Sequence, residues 1–297
     1  MTAPAAFGDV SSDDRGRGTD SPRRPRASTV ATAVRPAAVY ALVGVVGAAA
    51  FLWPFWVRTD ALPAQAHAGD APLVAAVVGA LAVSVVALEL RRATMQGATV
   101  ALLGVLAAIS AVLRLVDLPG GGSGMFFLVV LAGAAFGPRL GMLLGLGAMA
   151  VSALLTGGIG PWLPFQMLAL AGIGAGAGAV GRLSAHLPAG AEVAVLAAYA
   201  WCCGFAYGAV MNLWFWPLQI DGGALSYDPA LSADALIHRY WSFYVATSLA
   251  WDAAGALANA VLIVLVGRPV MRSLRRFAHR LAPVVELVPT VAPTPAA

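Results

Sequence analysis

Eight apolar runs, seven free of charged side chains and the eighth carrying Asp252 alone, alternate with short polar segments along this chain. The first lies between Arg35 and Arg58, with Pro54 near its far end. The second runs from about Pro72 to Ala87, ending near Glu89, and the third from about Ala93 to Leu113. The fourth, about Ser123 to Phe136, is short for a full crossing; it either tilts little or borrows from the glycine-rich loop before it. The fifth covers Leu140 to about Leu155, the sixth about Leu163 to Val180, the seventh about Val193 to Phe215 and the eighth about Tyr240 to Val266. A spanning helix takes about 20 apolar residues. The pattern therefore predicts an all-α, polytopic membrane helix bundle of about eight transmembrane helices.

Composition agrees. Of 297 residues, 60% are hydrophobic and 11% charged, against about 45–50% and about 25% in soluble domains. That balance excludes an ordinary soluble enzyme, a disordered protein and a DNA-binding domain. All 18 basic residues are arginine, a codon bias of GC-rich bacterial genomes. The arginines flank the apolar runs: a basic tail precedes the first, Arg91-Arg92 follow the second, Gly137-Pro138-Arg139 the fourth, Arg182 the sixth, and Arg268, Arg272, Arg275, Arg276 and Arg280 the eighth. With eight spans these clusters share one side, which the positive-inside rule makes cytoplasmic. Both termini are then cytoplasmic, and the protein is expected as a multi-pass protein of a bacterial cell membrane. Residues 1–35 read as a disordered basic cytoplasmic tail, too long and polar to be a cleavable signal, and about 283–297 as loose. Residues 268–282 form a basic amphipathic segment, read as an interfacial helix after the last span or as a docking surface.

Chemistry concentrates in few places. Three segments on the outer side are rich in glycine and aromatics: Arg114 to Gly124, Thr156 to Trp162 leading into Gln166, and Asn212 to Arg239. Glycine lets backbone approach a ligand and tryptophan supplies flat apolar area with a polar tip, so these loops suggest a pocket; interfacial turns with an aromatic belt are the plainer reading. Asp252 falls near the middle of the eighth run, where a carboxylate is costly and must face partners. Tyr244, Ser248, Asp252 and Asn259, at spacings of four, four and seven, share one helix face, and Gln166 and Asn212 could complete a polar cluster. A structural hydrogen-bond network is the alternative. Arg114 and Asp117, three apart, could pair with each other. The candidate substrate-lining residues are Gly122, Ser123, Phe126, Trp162, Phe165, Gln166, Asn212, Trp214, Trp216, Tyr244, Ser248 and Asp252.

Catalytic readings fall away. Gly121-Gly-Ser-Gly124 matches the G-x-S-G string of intramembrane serine proteases, but that chemistry needs a base beside the serine. His67, His186, His238 and His279 all fall in loops or at span ends. No GxxxxGK[ST] phosphate loop occurs, so any ATP-driven step belongs to another subunit. Cys202 and Cys203 are adjacent, poorly placed for an ordinary disulfide, and read as packing residues. No cofactor or metal is expected.

Four strings bear a resemblance in combination: Phe136-Gly-Pro-Arg-Leu-Gly141, Gly160-Pro-Trp-Leu-Pro-Phe-Gln-Met167, Tyr207-Gly-Ala-Val-Met-Asn-Leu-Trp-Phe-Trp-Pro217 and Thr247-Ser-Leu-Ala-Trp-Asp252. Over about residues 95–280 the chain resembles the substrate-specific (S) components of energy-coupling factor (ECF) vitamin transporters, most closely those of actinobacteria. The resemblance implies a six-helix substrate-binding core at 93–267, preceded by two extra spans at 36–92 and followed by a basic tail at 268–297. It implies partnership with a transmembrane coupling (T) subunit and two ATP-binding cassette ATPases, and toppling of the S subunit to release its vitamin inside. The family's contact with the coupling subunit is a small-xxx-small row on the first core helix, where Gly104 and Ala108, or Ala107 and Ala111, stand here. Its ligands include riboflavin, thiamine, biotin, folate and cobalamin-type compounds; the outer aromatics suit a flat or bulky one, which favours a cobalamin-type compound. An ion-coupled secondary transporter using Asp252, a membrane enzyme, and a purely structural membrane subunit are the competing functions.

Overall fold

The computed structural model describes residues 36–56, 71–90, 97–118, 122–218 and 223–281. The expected tails at 1–35 and 283–297, and the Arg91-Arg92 cluster, lie outside the described residues. Nine helices follow one another among those described: α1 (Pro36–Trp56), α2 (Ala71–Leu90), α3 (Gly97–Leu115), α4 (Met125–Phe136), α5 (Pro138–Thr156), α6 (Leu163–Ser184), α7 (Ala189–Phe215), α8 (Ala233–Thr247) and α9 (Leu249–Leu281). A two-residue hairpin, β1 (Asp117–Leu118) paired antiparallel with β2 (Gly122–Ser123), joins α3 to α4. Six helices are long and apolar enough to cross a membrane, and Val43–Phe55 and Met125–Phe136 are shorter apolar helices. Together they match the eight runs of the sequence.

The twelve residues of α4 form the centre of the bundle, with Val129, Val130, Leu131 and Ala132 fully buried. Such a short helix can start inside a membrane because its first N–H groups are satisfied by side chains. The Phe127 N–H donates to Asn259 Oδ1 at 2.8 Å and the Met125 N–H to Ser123 Oγ at 3.3 Å. An unpaired backbone group in hydrocarbon costs several kcal/mol, so Asn259, reaching across from α9, is what permits this start.

At the other end of α4 the chain reverses through Gly137, whose φ of 92° suits glycine alone among common residues. Pro138 then takes the first position of α5, where its missing N–H costs nothing. Glycines let α5 and α6 close together: Gly141 lies against the Gly174 backbone, Gly145 against Leu170, and Gly178 against Gly137 and Pro138. Any side chain at these positions would meet backbone. Cys202 is exposed, and Cys203 is buried in the core as a free thiol.

Two expectations are corrected. The eighth run is not one helix. It breaks at Ser248, with φ −123° and ψ −31°, into α8 and α9. Thr247 Oγ1 donates back to the Phe243 carbonyl at 2.8 Å, a local bond of the kind that competes with the helical ladder and bends helices, and Asn212 Nδ2 ties Ser248 Oγ to α7 at 2.7 Å. Second, the basic segment is no separate helix, because α9 continues through Pro269 for 33 residues. That is about 50 Å at 1.5 Å per residue, well beyond a hydrocarbon core of about 30 Å.

The helices α1 and α2 pack on α6 and α7. Phe51, Val78, Phe165 and Trp214 share one buried cluster, and Glu89 at the end of α2 pairs with Arg139 of α5.

Candidate functional site

Among the described residues, the end of the bundle carrying the hairpin and the segments 157–162, 216–218 and 223–232 gathers buried side-chain atoms that form no hydrogen bond, Asp252 Oδ2 and the Tyr244 hydroxyl among them. Its layout follows from how α7 and α9 cross. Gly204 faces Ala256, and one turn further on Gly208 faces Asp252, so closely that a Cβ at either glycine would collide. Asp252 is therefore level with Gly208, seven residues from the end of α7 at Phe215, or about 10 Å. It stands in the first turn of α9, toward the loop end, rather than in the middle of a single continuous span.

Around Asp252 stand Tyr207, Tyr240 and Tyr244, each within its electrostatic reach. The Tyr240 hydroxyl is engaged with the Ala209 carbonyl. The Tyr244 hydroxyl approaches the Asp252 carboxylate, but neither it nor Asp252 Oδ2 forms a hydrogen bond of ordinary geometry, and both atoms are buried. The Tyr207 ring meets Phe126 edge-on at 5.0 Å between centroids, and its hydroxyl feels Arg114 as well as Asp252. Arg114 Nη1 donates to Ser152 Oγ and Met149 Sδ, each at 3.2 Å, rather than being held to a carboxylate; the Asp117 side chain lies outside the described residues. The ion pairs seen among the described residues, Glu89–Arg139 and Glu192–Arg275, both lie at the opposite, arginine-bearing end. Arg114 and Asp252 thus both lie within electrostatic reach of Tyr207, and among the described residues they do not pair with each other.

The structure brings Phe126, Asn212, Tyr244, Ser248 and Asp252 into one neighbourhood. Gly122 and Ser123 border it: Ser123 accepts from Met125 N–H, and its carbonyl accepts from Asn259 Nδ2 at 2.8 Å. Trp162 lies over Gly160 at the exposed surface, and the Gln166 N–H donates to the Trp162 carbonyl. Three aromatics go elsewhere. Phe165 is fully buried between Phe51 and Trp214. Trp216 is fully buried among Phe55, Tyr227, Tyr240 and Phe243, with Nε1 donating to the Leu225 carbonyl at 2.7 Å. Tyr207, Ser110 and Ser152 were not singled out by sequence reasoning. Ser110, buried with an unbonded hydroxyl, precedes Arg114 by four residues, so helical spacing from Arg114 was the available signal.

The two small-residue pairs of α3 separate by face. Ala107 and Ala111 are buried, with Ala107 against Gly147 of α5. Gly104 and Ala108 are exposed, and nothing lies near the position of a Cβ at Gly104.

No curated protein and no solved structure matches the chain. One family model does, that of the ECF transporter, substrate-specific component, over residues 98–267. The match opens in the first turn of α3 and closes within α9, leaving α1 and α2 outside it and covering more than half of the chain. With its membrane-spanning helices and polar loop-end cluster, this multi-pass membrane protein belongs to the family of substrate-specific components of ECF transporters.

Proposed function

We propose that this chain captures a vitamin from outside the cell and delivers it through a complex with a coupling subunit and two ATP-binding cassette ATPases. The observation that carries the reading is that Asp252 Oδ2 and the Tyr244 hydroxyl are buried at the loop end without a hydrogen bond, while Arg114 at the same end is held by Ser152 and Met149. Membrane-embedded charges are costly and mark binding or transport paths. The arginine-bearing end, with Arg139, Arg182 and the last turns of α9, supports a cytoplasmic placement of both termini under the positive-inside rule. The exposed Gly104–Ala108 face of α3 is the proposed contact for the coupling subunit, since small residues let helices approach closely.

The cobalamin-type preference rested on the outer aromatics. Phe165, Trp214 and Trp216 pack against other protein rings, so the remaining polar lining favours a more compact vitamin. Mass spectrometry of ligand that co-purifies with the detergent-extracted protein, followed by calorimetry with a B-vitamin panel, tests the reading. A bound vitamin supports it; a protein that carries and binds none would sink it.

The buried, unbonded Asp252 Oδ2 favours a second reading, an ion-coupled secondary transporter. Proteoliposomes containing this chain alone distinguish the two. Uptake driven by a proton or sodium gradient and lost in Asp252→Asn supports the second, whereas uptake that requires the partners and ATP supports the first.

A further inference from the structure

The vitamin-capture reading leaves the chemistry of the ligand open, and two halves of the loop-end cluster constrain it. On one side stand Asp252 and Tyr244. Among the described residues no arginine or histidine lies within ion-pair distance of Asp252, and its Oδ2 accepts no hydrogen bond of ordinary geometry. Gly208 contributes no side chain that could donate to it. A carboxylate kept in such surroundings, with the Tyr244 hydroxyl approaching it and Oδ2 left unbonded, suits a donor that arrives with the ligand. The Tyr244 hydroxyl, equally buried and unbonded, can accept from or donate to that same group.

On the other side stands Arg114. Its guanidinium offers five N–H donors, and the structure uses Nη1 alone, on Ser152 and Met149. The adjacent Leu113 carbonyl accepts from the Gly124 N–H at 3.2 Å. That bond holds the start of α4, the positive end of its helix dipole, next to the turn carrying Arg114. Both features favour an anionic or strongly accepting group. Tyr207 is within reach of both charges, and its ring packs edge-on against Phe126 at 5.0 Å, so an aromatic pair stands beside the two charged groups.

We propose that the substrate is amphoteric in its layout: a ring system with a proton-donating nitrogen group at one end, held by Asp252 and Tyr244, and a carboxylate or comparable acceptor at the other, held by Arg114. Asp252 and Arg114 then determine specificity, each through direct contact with the ligand. The inference rests on the vitamin-capture reading, yet it can fail while that reading survives.

The test measures binding to the full-length protein in detergent with four probes. Folate and biotin each join a ring with N–H donors to a carboxylate; thiamine carries a cationic ring system without a carboxylate; riboflavin carries an imide N–H but no carboxylate. Folate or biotin is expected to bind tightest. Asp252→Asn and Arg114→Gln should each weaken it by about 100-fold, with Asp252→Glu restoring part of the loss. Circular dichroism and size-exclusion profiles matching the unaltered protein establish that the variants fold. If a variant fails to fold, the order of the four probes on the unaltered protein decides. Riboflavin or thiamine binding tightest, or either charge variant retaining full affinity for the tightest probe, overturns the amphoteric assignment and leaves vitamin capture standing. No binding of any probe, with no vitamin co-purifying, overturns both.

Discussion

Asn259 shows how one side chain sets where a helix can begin. It is 2% exposed, accepts from Phe127 N–H, and donates to the Ser123 and Gly255 carbonyls. Asn259→Ala strands the Phe127 donor and the Ser123 acceptor in an apolar interior, at a cost of about 1–3 kcal/mol per group. The expected outcome is a clearly lowered unfolding temperature in detergent, with Asn259→Asp, which keeps the acceptor, falling less. Outside the spans, Tyr227 donates to the Pro54 carbonyl at 3.1 Å. Burial, and then the nearby Asp228, push its hydroxyl above the ordinary tyrosine value. The native state therefore holds this proton more tightly than the unfolded chain. Its contribution is complete below about pH 10, the ordinary tyrosine value, and is lost as the pH rises through the higher native value. Alkaline unfolding curves should show that decline, and Tyr227→Phe should abolish this component of it.

Among the elements, the break between α8 and α9 places Tyr244 on one helix and Asp252 on the next. A single straight helix would also put them on one face, but Tyr240 bonds α8 to α7 and Asn212 bonds the break at Ser248 to it, so the break lets both helices keep their packing. Replacing Thr247 and Ser248 together by alanine removes both side-chain bonds at the break. Ligand affinity should then fall about tenfold, or 1.4 kcal/mol, while the protein still elutes as a folded species. The turn at Gly137 is a second such point. Its φ of 92° is strained for an L-residue, so Gly137→Ala should destabilise by about 1–2 kcal/mol, read as a drop in unfolding temperature without change in ligand preference.

At the scale of the whole molecule, α1 and α2 cover α6 and α7 while the Gly104–Ala108 face of α3 stays open. A chain lacking residues 1–92 exposes Phe165 and Trp214 to lipid, and lipid tails are as apolar as the helices they replace. Ligand affinity should then stay within about threefold, under ~0.7 kcal/mol, by calorimetry. Conversely, Gly104→Leu with Ala108→Leu should abolish co-purification with a coupling subunit and leave ligand binding unchanged.

Most of the architecture was legible along the chain, because a bilayer imposes its thickness on every span and arginine marks span ends. The eight runs, the short α4 and the shared face of Tyr244, Ser248 and Asp252 could all be read from spacing. The break at Ser248 could not, because a Thr-Ser pair bends a helix only where its hydroxyls find partners, and Asn212 of α7 supplies one of them. Nor could the fate of the aromatics be read, because Trp162 at the surface and Trp216 in the interior have the same composition around them. A polytopic helical membrane protein, and the stretch that carries its family likeness, follow from the order of residues along the chain. That Gly208 sets Asp252 against α7, and that Phe165, Trp214 and Trp216 pack against other rings, follows only from the way the helices cross. Helical periodicity orders residues around one axis, whereas neighbours across axes depend on where glycines such as Gly208 let two backbones meet.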